Sequence, residues 1–172
     1  MSILPTAFPS NLRRNSMKNS GAFRAIFPAG LIVGVLDISS AFIIWWQRGV
    51  GARRGLQGIA AGVLGASSFD GGLVTAGFGL ALHFFVAFVV VTIFYLASRK
   101  IEFLVIHPVV AGVVYGIGVY IVMYWFVLPT AFPTFRHRLW NELLAVAIHI
   151  SLIGLPCALI VHRYSERTQQ LP

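Results

Sequence analysis

Charge is what this sequence lacks. Of its 172 residues only 10% are charged, thirteen of them basic and five acidic. A soluble domain carries about 25% charged residues, so this set could not cover the surface of a soluble body of that length. A disordered chain is excluded as well, because 58% of the residues are hydrophobic and disorder requires low hydrophobicity. Cysteine is nearly missing: the single Cys157 rules out a disulfide framework and a multi-cysteine metal site. It lies in an apolar run and reads as core packing. No catalytic motif stands out, so composition speaks for a class of protein and not for an activity.

What is present is long apolar sequence, with a mean hydropathy of +0.83. The net charge of +8 does not point to nucleic acid, because the basic residues fall in short stretches between apolar runs, as in membrane proteins. Residues 1–22 form a polar, basic N-terminal segment with Arg13, Arg14 and Lys18, unlike the apolar core of a cleaved signal peptide. Runs at about 23–46, 73–97, 103–128 and 140–162 are each long enough to cross about 30 Å of hydrocarbon at about 1.5 Å per residue. The expected architecture is an all-α integral membrane protein, an antiparallel four-helix bundle over residues 23–163 followed by a short tail at 164–172. Between the first two spans, Leu56, Ile59, Ala60, Val63 and Leu64 recur at helical spacing. That stretch, about 56–66, is too short to span and predicts an interfacial or re-entrant helix.

Orientation follows from lysine and arginine. With four spans, the side holding both termini and the second-to-third loop has eight basic residues against five on the other. Both termini are therefore expected in the cytoplasm. Small residues pair at helical spacing in Gly30 with Gly34 and in Gly112 with Gly116. They allow close helix approach within the bundle or between copies.

Three ionisable residues lie deep in these runs. Asp37 is nine residues before Trp46, His83 ten after Leu73 and His149 nine after Trp140. All three reference points lie on the same side, so each group sits about 14 Å inside at 1.5 Å per residue. Tyr120 can join the layer from the third span. An ionisable group in hydrocarbon needs a partner inside the bundle, and four uses of the layer compete. It could be a hydrogen-bonded packing contact, or a proton or solute path. It could hold haem b between His83 and His149, or a divalent metal on these two and Asp37. His107, before Pro108, reads as interfacial. Glu142, one turn into the fourth span, reads as an interfacial residue that caps its helix or pairs with Arg48, Arg53 or Arg54. His137 and His162 read as solvated flanks.

The phrases "LQGIAAGVLG", "FDGGLVTAGFGLALHFFVAF", "HPVVAGVVYGIGVYIVM" and "IHISLIGLPCALI" resemble small, uncharacterised bacterial inner-membrane proteins of the YagU-like set, linked by name to acid resistance. The resemblance covers about residues 23–163. It implies a four-helix bacterial inner-membrane protein and singles out Asp37, His83, His107 and His149. The resulting expectation is a non-enzymatic membrane component whose Asp/His layer serves proton or solute passage. The alternative is a small accessory subunit of a larger membrane complex, or a haem- or metal-binding bundle. The expected partners are the lipid bilayer, a second copy or a larger complex, and not nucleic acid.

Overall fold

The computed structural model describes residues 10–133 and 135–169, with side chains over 22–133 and 135–164. Residues 1–9 of the basic segment and 170–172 of the tail lie outside the described residues. Among the described residues every regular element is helical. Four segments are long and apolar enough to cross a membrane: Ala22–Gln47, Gly72–Ser98, Pro108–Ala131 and Leu139–Tyr164. The protein is thus an all-α membrane protein.

The first helix, α1 (Ser10–Gln47), carries Pro28 inside it. A membrane helix tolerates this because neighbouring groups re-satisfy the freed backbone. The helix ends at Gly49, whose φ of +70° suits a residue without Cβ. The chain then turns into α2 (Ala52–Leu64), closed by Gly65 at φ +66° and followed by a 3-10 turn over Gly65–Phe69. At 13 residues, α2 rises about 20 Å and cannot span. Its observed bounds start four residues before the sequence expectation. The face it buries is also different, with Gly55, Gln57 and Ala60 inside while Val63 and Leu64 stay exposed.

Helix α3 (Gly72–Ser98) is the second span. The third begins later than expected. A four-residue turn, α4 (Phe103–Ile106), stops at His107, and α5 (Pro108–Ile121) starts anew. Proline lacks an N–H and disfavours helical geometry in the residue before it, and His107 sits accordingly at φ −118°, ψ 64°. The span continues through a π-helical segment, Val122–Val127, into α6 (Leu128–Ala131). The fourth span is built alike: α7 (Leu139–Ile148), a π-helical segment at His149–Gly154, and α8 (Leu155–Gln169).

Two polar contacts fix which ends lie together. On one face Arg48 Nη2 donates to Asn141 Oδ1 at 3.3 Å. On the other His162 Nδ1 donates to the Val105 carbonyl at 2.8 Å, so His162 is tied down and not simply solvated. Apart from Phe94, the core is made of small and medium residues, among them Ala29, Val33, Val91, Ala111, Cys157 and Ala158. Where lipid gives no hydrophobic drive, such close packing holds helices together. Gly30 and Gly34 receive the rings of Phe88 and Phe84 from α3, and Gly112 and Gly116 rest on the backbone of the fourth span. These small residues therefore serve packing within the chain.

Candidate functional site

Asp37, His83 and His149 come from three spans and line one cavity of about 690 Å³. Its wall runs from the exposed Arg48 and Arg54 down to Val33, Val90 and Ile153. Each polar residue owes its place to a local feature. Gly34 has no side chain, so α3 approaches α1 closely enough for His83 Nε2 to donate to the Gly34 carbonyl at 2.9 Å. Asp37 lies three residues further along the same face, and its Oδ2 is 4.0 Å from His83 Nδ1. His149 is the first residue of the π-helical segment. It is 9% exposed, and its Nδ1 donates to the Ala145 carbonyl at 2.8 Å. The rings of Tyr120 and Tyr124 stand edge-on to it, with centroids at 6.0 and 5.8 Å.

These contacts fix where protons sit. A carbonyl only accepts, so His83 carries hydrogen on Nε2 and His149 on Nδ1. In its neutral form His149 therefore keeps its lone pair on Nε2. His83 Nδ1 faces the Asp37 carboxyl, and two lone-pair acceptors repel. One proton on either partner resolves this, as a carboxylic acid beside neutral imidazole or as a carboxylate beside imidazolium. Both forms carry no net charge, which suits a site in hydrocarbon. The arrangement can carry one proton without net charge. It also disagrees with two sequence alternatives. A haem between His83 and His149 needs a free Nε2 on both, and that of His83 is engaged. Among the described residues no three His, Cys, Asp or Glu are grouped as a metal requires, so Asp37, His83 and His149 do not form a three-ligand site.

Tyr120 meets the layer only through its ring, which stands edge-on to His149. It does not line the cavity with the three ionisable residues. Its hydroxyl donates to Glu142 Oε2, and Glu142 Oε1 accepts from His137 Nδ1 at 2.9 Å. Glu142 thus pairs with a tyrosine and a histidine and not with an arginine. His137 is held further by the Trp125 ring, stacked on it at 4.5 Å. His107 is exposed at the N-terminus of α5, makes no side-chain cap and packs on the Phe103 ring at 5.0 Å.

One group of residues escaped the sequence reading. Gln57, only 2% exposed, donates to the carbonyls of Gly72 at 3.0 Å and Phe69 at 3.4 Å. The Ser68 hydroxyl donates to the Gln57 carbonyl at 3.0 Å, and Thr75 Oγ1 donates to the Ser68 carbonyl at 2.5 Å. This knot fastens α2 to the start of α3 and so fixes the cavity's outer wall. Its one sequence signal is a glutamine beside an apolar stripe on a short helix.

Four membrane-crossing helices around a cavity lined by ionisable groups define a multi-pass, all-α membrane protein. No family model matches the chain, and no curated protein or solved structure is detectably similar to it.

Proposed function

We propose that this is a non-enzymatic multi-pass protein of the bacterial inner membrane that carries a small solute or a proton through its Asp/His layer. The observation that carries the proposal is that Asp37, His83 and His149, from three different spans, line one cavity. Ionisable groups inside membrane spans mark ion, proton or substrate paths, and histidine exchanges its proton near neutral pH. The YagU-like resemblance supports the bacterial inner-membrane assignment. The basic residues, eight on the side of the termini against five opposite, support cytoplasmic termini.

The test is proton uptake by vesicles containing the purified protein, followed with an internal pH-sensitive dye after a pH step. Uptake faster than in empty vesicles is expected, and Asp37→Asn should reduce it to the background. Uptake by Asp37→Asn at the unmodified rate would remove the layer from the path.

A further inference from the structure

We infer that the cavity takes a single-chain amphipath with an anionic head, the head seated between Arg48 and Arg54 and the chain running inward beside Asp37 and His83. This rests on the reading of the cavity as a solute site and names the class of solute.

The charge on the lining is divided by depth. Arg48 and Arg54 are its cations, and both lie at the outer end, where α1 stops and α2 begins. The lining carboxylate, Asp37, is eleven residues from Arg48 along α1, about 16 Å deeper. Among the described residues neither arginine is in a salt bridge. Arg48 donates to the neutral Asn141 amide, and the Arg54 guanidinium lies 4.0 Å over the Phe69 ring. Glu142 shares a neighbouring cavity of about 230 Å³ with Arg48, but its carboxylate is turned to His137 and Tyr120 and makes no salt bridge with Arg48. Two exposed guanidiniums without a carboxylate are suited to an anionic head, because arginine offers paired N–H donors to carboxylate or phosphate oxygens.

The inner wall asks for the opposite chemistry. Past the Asp37–His83 pair it is mainly apolar, with Val33, Val86, Ala87, Val90 and Ile153, and His149 is the further polar residue of the lining. A volume of about 690 Å³ falls within the range of about 300–1,000 Å³ typical of small-molecule sites, which fits one chain.

The probe is dodecyl phosphate, titrated against the full chain in phosphatidylcholine nanodiscs by calorimetry. Saturable binding is expected. The double variant Arg48→Ala/Arg54→Ala should weaken it by about tenfold or more, the loss of charge-assisted hydrogen bonds. Arg48→Lys/Arg54→Lys should recover part of the affinity, which shows that the alanine variant failed through charge and not through folding. Dodecyltrimethylammonium should not compete. Equal binding of that cation, or undiminished binding by the alanine variant, would overturn the inference. Inorganic phosphate competing as well as dodecyl phosphate would also overturn it, in favour of a free-anion site. Loss of binding on adding phosphatidylglycerol to the discs would do the same, in favour of a bilayer lipid. Calorimetry needs no proton flux, so failure here with Asp37-dependent uptake intact would strike the solute class alone.

Discussion

His83 spans one turn of α1, with Nε2 on the Gly34 carbonyl at 2.9 Å and Nδ1 4.0 Å from Asp37 Oδ2. The three-residue spacing of Gly34 and Asp37 puts the carbonyl and the carboxyl on one helix face, so a single imidazole reaches both. Replacing His83 with phenylalanine keeps a ring against Phe84, which meets it edge-on at 5.5 Å, but removes both polar contacts. Polar contacts between membrane helices contribute about 0.6–2 kcal/mol. A stability loss of that size is expected for His83→Phe in thermal unfolding in detergent. Glutamine, which keeps a donor, should lose less. Equal losses would mean that packing and not hydrogen bonding holds this position.

Gly116 and Gly118 offer a matched comparison. A Cβ on Gly116 would come within 2.7 Å of the His149 carbonyl and the Ile150 Cα, whereas one on Gly118 meets nothing within 4 Å. Backbone cannot swing aside as a side-chain tip does. Gly116→Ala should therefore destabilise by about 1–3 kcal/mol, the usual range for overpacking. Gly118→Ala should be neutral or slightly stabilising, since alanine is the better helix former. Detergent melting temperatures of the two variants would check this, and similar values would mean that the third and fourth spans are not in backbone contact there.

The knot under α2 makes its own prediction. Gln57→Leu removes the side-chain donor to the Phe69 carbonyl and the nearer of two donors to the Gly72 carbonyl, in a part-buried setting. Such a loss costs about 1–3 kcal/mol. Because the knot is local, α2 should loosen before the bundle does, seen as faster proteolysis or hydrogen exchange over residues 52–69 with the spans still protected. Uniform loss of protection across the chain would contradict a local role.

Topology is accessible to labelling, because Cys157 is buried and gives little background. Single cysteines at Arg53 and Ser67, both exposed, should react with an impermeant maleimide from the same side of the membrane. Reaction from opposite sides would make α2 a crossing helix and reverse the three spans that follow it.

The spans were legible because each is an uninterrupted apolar run, and the common depth of Asp37, His83 and His149 came from counting residues at a fixed rise. The late start of the third span was also written in the chain, at Pro108. Other features were not. Gln57 finds carbonyls made available by a break twelve to fifteen residues away, and no local pattern names such a partner. Tyr120 was placed by depth alone, but its hydroxyl turns to Glu142 across the helix interface. Depth along an axis is a one-dimensional quantity, and side-chain direction depends on the rotation of each helix, which neighbours decide.

The π-helical segments at Val122–Val127 and His149–Gly154 make that rotation discontinuous. A π turn accommodates one more residue than an α turn, so it acts as a phase slip of about 100° between the two halves of a span. Ala145 and His149 lie before or at the slip in the fourth span, and Cys157, Ala158 and Val161 lie after it, yet all five face inward. An uninterrupted α-helix could not keep both groups on their present bearing. Each such span behaves as two helices sharing an axis, so a one-residue deletion inside His149–Gly154 would act as a rotation. It would turn the cytoplasm-proximal half of the proposed topology against the rest while leaving helix content intact.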